Sequence, residues 1–106
     1  MDHFRKVALG LPSATEQDHF GGASFRINGK IFAQLSTDGA TGLVKLKPET
    51  QDWVVSTFPE YGSVEPHWGR HGWTRLALSG LSPDLVADLV VQSWQAVAPK
   101  TLHGLL

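Results

Sequence analysis

The amino-acid sequence predicts an α+β fold in which an antiparallel sheet carries helices on one of its faces. Apolar residues recur at helical spacing near both ends of the chain and alternate with polar residues in the middle. The alternating segments follow one another in hairpin groups and do not alternate one by one with helices. The predicted order of elements is α-β-β-β-α-β-β-α. Because 106 residues leave room for one hydrophobic core only, we expect a single domain over residues 1–106.

The first helix is predicted from an apolar stripe near the start of the chain. Positions i, i+3, i+4 and i+7 of one helix face are occupied by Phe4, Val7, Ala8 and Leu11. A proline disfavours the α conformation in the residue before it. Pro12 is therefore expected to end this helix.

The central segment predicts an antiparallel meander. Phe25 and Ile27 alternate with polar residues, and Asn28-Gly29 can supply the two positive φ angles of a type I′ hairpin turn. This turn is the strongest local signal in the sequence. The predicted strands are Ala23–Ile27, Lys30–Leu35 and Leu43–Lys47, with a further short strand possible within Thr15–Phe20.

Proline marks the start of both later helices. Pro48 and Pro83 suit a first helical turn, where the missing N–H would have no partner, and Ser82 is a favourable N-cap. The final helix is expected to reach about Ala98. The residues expected to be buried are Trp53, Val54 and Phe58 in the middle helix and Val86, Val90, Trp94 and Val97 in the last. Between these helices the sequence predicts two strands, Val64–His67 and Trp73–Ser79.

The formal net charge is −1, yet the strand regions 23–47 and 64–76 together carry +4. Side chains alternate between the two faces of a strand. If the apolar positions face the helices, the opposite face carries Arg26, Lys45, Lys47 and Arg75, with Trp73 among them. Such a face can bind phosphates and stack bases, as sheet-based nucleic-acid binders do. Lys and Arg are also the ordinary residues of a solvated sheet face, so both interpretations stay open.

Three binding hypotheses follow, and they differ in the partner. The first is a non-enzymatic module that binds an anionic partner, plausibly nucleic acid, through Arg26, Lys30, Lys45, Lys47, Arg70, Trp73 and Arg75. The second is a protein- or peptide-binding module, or a homodimer through the sheet, which an exposed apolar patch of Phe32 and Trp73 would favour. The third is a small-molecule site lined by His19, Trp68 and His71.

Two short motifs in the segment 66–73 lack the structural context that their chemistry needs. Gly69-x-x-Gly72 matches the backbone clamp of KH domains, but that clamp joins two helices and here strands are expected on both sides. His67 and His71 have the spacing of a helical zinc pair, whereas the neighbouring Pro66 and both glycines disfavour a helix.

The remaining composition argues against catalysis, cofactors and membranes. The chain has no cysteine, which excludes disulfides and thiolate chemistry, and it has no catalytic or phosphate-binding motif. We therefore expect no enzyme, no metal and no cofactor. The longest apolar helix candidate, Leu85–Val91, is too short for a bilayer, and Val7–Leu11 is too short for a signal peptide. A cytoplasmic protein without a membrane partner is expected.

Four stretches of the sequence carry a family resemblance: Leu9–Glu16, His19–Ala33, Trp68–Trp73 and Val97–Leu102. Their most specific parts are Phe25-Arg26-x-x-Gly29-Lys30 and Ala98-Pro99-Lys100. In this order they resemble the MmcQ/YjbR family of small bacterial proteins, over nearly the whole chain.

The resemblance implies an α+β fold like that of the type III secretion chaperones, which agrees with the order of elements above. Members of the family are commonly labelled DNA-binding, because the fold resembles the double-wing domain of a phage transcription factor. DNA binding is thus what the resemblance implies, by analogy of fold. It transfers no catalytic or binding residue to this chain.

Overall fold

A single six-stranded antiparallel sheet forms the centre of the computed structural model, which describes residues 2–106 except for the side chain at position 2. The strands are β1 (Thr15–His19), β2 (Gly22–Ile27), β3 (Lys30–Leu35), β4 (Thr41–Lys45), β5 (Gly62–Val64) and β6 (Trp73–Ala77). The helices are α1 (Asp2–Leu9), α2 (Pro48–Thr57), α3 (Pro83–Val97) and α4 (Lys100–His103). The strand order across the sheet is β1-β2-β3-β4-β6-β5. The predicted fold class and order of elements are confirmed, and the candidate strand before the meander is present as β1.

The helices pack on one face of the sheet. In the register of the strands, Gly42, Leu76 and Gly62 lie side by side. Phe4 of α1 packs against Gly42, and Val54 of α2 packs against Gly62, so closely that a Cβ atom at either glycine would lie within 3 Å of it. Helix α3 contacts α1 as well as β3 and β4. The core lies between these helices and the sheet, and the other face stays uncovered.

The structure differs from the predicted boundaries where side chains or prolines redirect the chain. Strand β5 ends at Val64 and does not continue to His67, because the Glu65 carboxylate accepts the backbone N–H groups of His67 and Trp68 and holds a turn there. Strand β6 ends at Ala77, since residues 78–80 form a 3-10 turn. A short helix, α4, follows Pro99 and was not predicted.

The middle helix buries Val54 as predicted, but not Trp53. Trp53 is 49% exposed, whereas Val54 and Gln51 are buried and Phe58 is partly buried. The Gln51 amide donates to the carbonyl oxygens of Gly69 and Trp73. A polar residue that satisfies backbone groups thus takes the position expected for Trp53.

The last helix matches the prediction more closely. Val86, Val90 and Trp94 are buried in the core, and Val97 is partly buried against it. The Trp94 indole donates to the carbonyl oxygen of Pro12, 3.0 Å away. Ser82 caps the helix as predicted, because its hydroxyl accepts the backbone N–H of Leu85.

Two hairpin turns have the same backbone geometry but different sequences. Asn28-Gly29 has φ angles of 52° and 80°, which confirms the predicted type I′ turn. Phe20-Gly21 joins β1 to β2 with φ angles of 52° and 87°. Asparagine adopts a positive φ readily, whereas a bulky residue there is a strained outlier. The β1–β2 hairpin therefore carries a backbone strain that the β2–β3 hairpin avoids.

A β-bulge in β3 decides which way Phe32 points. Phe25 pairs with Ala33 and Arg26 pairs with Ile31, so Phe32 is an extra residue without a partner in β2. As a result Phe32 and Ala33 both lie in the core with no exposed surface. Phe32 and Trp73 therefore form no exposed apolar patch. Simple alternation does not hold across a bulge, so it does not predict the side of the sheet on which Phe32 lies.

Ser93 of α3 completes the sheet at this bulge. Its hydroxyl oxygen accepts the backbone N–H of Lys45 in β4 at 2.6 Å, and the same hydroxyl donates to the carbonyl oxygen of Phe32 in β3. The hydroxyl thus stands in for a direct hydrogen bond between the two strands. It also ties α3 to the centre of the sheet.

Replacing Ser93 by alanine should destabilise the protein. The change leaves a backbone donor and a backbone acceptor without their partner in the core, which costs about 1–3 kcal/mol. Urea denaturation of both proteins measures the difference. The control is Ser56→Ala, because the exposed Ser56 hydroxyl bonds only to carbonyl groups of its own helix. Equal, small effects of both changes would contradict the role given to Ser93.

Candidate functional site

The uncovered face of the sheet brings together polar and charged side chains from all six strands. One row of paired residues runs across it, and the adjacent row contains further pairs. We call this surface the open face and define it by Gln17, Ser24, Arg26, Ile31, Gln34, Leu43, Lys45, Trp73, Arg75 and Ser63. Three of these residues are cations and none is an acid.

Arg26 and Lys45 are the two cations of the open face without an acidic partner. The Arg26 Nε donates to the Ser24 hydroxyl at 3.1 Å, and that hydroxyl donates to the carbonyl oxygen of Gln17. These bonds hold the guanidinium against the sheet. Lys45 lies directly opposite Trp73 in the β4–β6 pair. Among the side chains of residues 3–106, no carboxylate lies at ion-pair distance from Arg26 or Lys45.

Arg75 forms an ion pair with Glu65 at the margin of the open face. Its Nη2 lies 3.6 Å from the Glu65 Oε1, and half of the Arg75 side chain is exposed. The pKa of Glu65 is lowered, chiefly by the backbone N–H of Trp68 and further by the N–H of His67 and by the charges of His67 and Arg75. Burial opposes this shift. Glu65 is therefore ionised at neutral pH, and the three cations exceed it by two charges.

The structure brings four of the seven predicted nucleic-acid-binding residues together: Arg26, Lys45, Trp73 and Arg75. The other three lie outside the strand positions that define the open face. Lys30 pairs with the buried Ile27, so its register position belongs to the helix side of the sheet. Lys47 lies beyond the end of β4 as the N-cap of α2, and Arg70 lies in the 3-10 turn after β5. Strand alternation does not apply to Arg70, which lies outside the strands.

A cleft of about 300 Å³ opens beside Arg75 on the open face. Leu43 and Gln34 come from the central strands, and His19 and Phe20 come from the β1–β2 hairpin. The remaining lining residues are Gly22, Ala23, Leu35, Ser36, Thr37 and Thr41. The lining contains one arginine, one histidine and no carboxylate. Its chemistry therefore suits a neutral or anionic ligand.

Phe20 and Gln34 line this cleft but are not among the site residues predicted from the sequence. The sequence around Gln34 contains no local signal for a site, because the place of Gln34 in the cleft depends on the neighbouring strands. A local signal existed for Phe20, since a bulky residue directly before Gly21-Gly22 at a strand end is unusual for a tight hairpin.

The predicted small-molecule site does not form. His19 lies on β1 at one edge of the sheet and contributes to the cleft. Trp68 and His71 pack against each other, with ring centroids 6.5 Å apart, in the segment that follows β5 at the other edge. Five strand spacings of about 4.8 Å separate β1 from β5, which is roughly 24 Å. The cleft that contains His19 is lined by neither Trp68 nor His71.

Metal ligation and membrane insertion find no support in the geometry. Among the side chains of residues 3–106, no three histidine or acidic groups come together as a metal ion would need. No helix in that part of the chain combines the length and the apolar character needed to cross a membrane.

Comparisons with known proteins agree with the fold and with the family. A crystal structure of a Deinococcus radiodurans protein that contains a DUF419 domain is similar, with a TM-score of 0.84 at 20% sequence identity. The match covers 97% of this chain and 84% of that one. Among curated proteins no relative is found. The model of the YjbR family matches residues 9–96, so the chain belongs to the YjbR family.

Proposed function

We propose that the protein is a non-enzymatic binding module that binds nucleic acid on its open face. One observation carries this proposal: Arg26, Lys45 and Arg75 lie with Trp73 on one uncovered sheet face, and among the described side chains only the Glu65 carboxylate lies at ion-pair distance from any of them. The whole chain has a net charge of −1, so this local excess of positive charge runs against its average. A local field of this sign attracts phosphates.

The arrangement of the cations supports a polyanion as the ligand. Lys45 and Arg75 lie on adjacent strands, two residues apart in register, and such diagonal neighbours are about 7–8 Å apart. Arg26 lies two strands beyond Lys45, across β3. A chain of phosphates that runs across the face can contact all three cations at once. Trp73 beside Lys45 adds an aromatic surface suited to bases.

A protein partner is supported less well by the open face. The apolar contribution expected from Phe32 is absent, because the bulge turns that ring into the core. Leu43 and Ile31 are half-buried and lie among polar neighbours, so they form no broad apolar patch. Protein binding and self-association are therefore outcomes to be tested beside nucleic-acid binding.

Binding of a labelled oligonucleotide should weaken steeply as the salt concentration rises. Three phosphate contacts give a slope of about −2 to −3 when log K is plotted against log salt concentration. Lys45→Ala should weaken binding and reduce the slope by about 1, because one contact is lost. Fluorescence anisotropy at several salt concentrations measures both effects.

The matched control is Lys30→Ala, which removes an exposed lysine from the helix side of the sheet. It should leave the affinity and the slope nearly unchanged. Equal losses in both variants would mean that general charge and not the open face attracts the ligand. No binding by the unmodified protein even at low salt would reject the proposal.

Glu65→Gln should strengthen oligonucleotide binding at pH 7, because Arg75 loses its acidic partner. It should also lower the melting temperature at pH 7. The pKa of Glu65 is lowered on folding, so the ionised carboxylate stabilises the fold above its usual pKa of 4.5 and ceases to do so as the pH falls through the lowered value.

The stability difference between Glu65→Gln and the unmodified protein should therefore shrink as the pH falls from 7 to 3. Thermal unfolding followed by circular dichroism at both pH values measures it. Asp52→Asn, at an exposed carboxylate of α2, serves as the control. A difference that persists undiminished at pH 3 would show that the charge of Glu65 is not what stabilises the turn.

A further inference from the structure

We propose that the cleft beside Arg75 holds an unpaired base of a single-stranded nucleic acid, and that Phe20 is the aromatic surface on which this base stacks. The inference rests on the proposed function, because it adds a base contact to the phosphate contacts of the open face. The form of nucleic acid that the surface recognises is therefore the single strand.

Phe20 is the first observation behind this inference. Its side chain is 95% exposed, so it contributes almost no buried apolar surface to the core. Its φ of 52° is strained for a bulky residue, while the equivalent position of the other type I′ turn holds Asn28, which tolerates that angle. Its one aromatic neighbour is His19, with ring centroids 4.8 Å apart. Folding therefore gives no reason for a phenylalanine at this position, and a strained residue at a cleft points to a ligand.

The size and the polar groups of the cleft are the second observation. About 300 Å³ is at the lower end of the range for small-ligand pockets, which suits a single nucleotide unit. Leu43 offers an apolar surface, and the Gln34 amide offers donors and an acceptor. Among the described residues, no hydrogen bond engages the Gln34 side-chain amide. Together these groups fit the face and the edge of a nucleobase.

Arg75 connects the cleft to the phosphate contacts. It lines the cleft and belongs to the group of cations on the open face. A nucleotide whose phosphate contacts Arg75 can therefore place its base in the cleft, while a neighbouring phosphate reaches Lys45. A base in a duplex is paired and stacked and cannot enter such a cleft. Single strands offer unpaired bases that can be splayed out onto aromatic side chains.

Phe20→Asn tests this inference without disturbing the phosphate contacts. Binding of an oligothymidine strand should weaken about tenfold or more, because one base loses its stacking partner. Binding of a duplex of the same length should stay unchanged, and the unmodified protein should prefer the single strand. The melting temperature should rise by about 4–8 °C, because Asn-Gly relieves the strain of the turn. A loss of affinity would then not reflect a loss of folding.

Trp53→Ala is the matched control, since Trp53 is a half-exposed aromatic residue on α2, on the opposite side of the sheet. It should leave single-strand binding unchanged. An unchanged affinity of Phe20→Asn for the single strand, or a preference of the unmodified protein for duplex, would overturn the inference. In either case a loss of binding in Lys45→Ala would still support the proposed function. If the unmodified protein binds neither oligonucleotide at low salt, both proposals fail.

Discussion

The hydroxyl of Ser93 joins helix α3 to the two central strands β3 and β4 through hydrogen bonds to their backbones. The bulge at Phe32 opens the ladder between β3 and β4, and this hydroxyl closes it by accepting from the Lys45 N–H and donating to the Phe32 carbonyl. Unpaired backbone groups in a core are costly, so the bulge is tolerable only while α3 supplies this side chain. The bulge in turn moves an aromatic ring from the open face into the core. The polar character of the open face thus follows from an interaction on the helix side.

The open face joins two kinds of feature that folding alone does not require. Arg26 and Lys45 are left without acidic partners among the side chains of residues 3–106, although the chain as a whole has more acids than bases. Phe20 occupies a strained turn with its ring in solvent, next to a cleft that also contains Arg75. Cations near a cleft and an exposed aromatic ring are the elements of a surface that binds single strands. Their proximity is why the two proposals concern one surface.

Features that depend only on residues close together along the chain can be predicted from the amino-acid sequence alone. The turn at Asn28-Gly29 follows from two residues that accept positive φ angles. The shared face of Arg26, Lys45 and Arg75 follows from alternation within regular strands, and so does the place of Trp73 beside them. The N-cap at Ser82 and the apolar stripes of the outer helices are local patterns of the same kind. These features were predictable because the physical reason for each lies within a few residues.

Features that depend on pairing between distant segments could not be predicted from local sequence patterns and are seen only in the tertiary structure. The bulge reversed the expected exposure of Phe32, and a register shift between two strands leaves no mark in local alternation. Trp53 was displaced from the core because Gln51 satisfies carbonyl groups of a segment roughly 20 residues away. The cleft exists because β3, β4 and β6 are neighbours and the β1–β2 turn stands at its rim. Strand order and register are set by the packing of the whole core, and they decide which side chains meet.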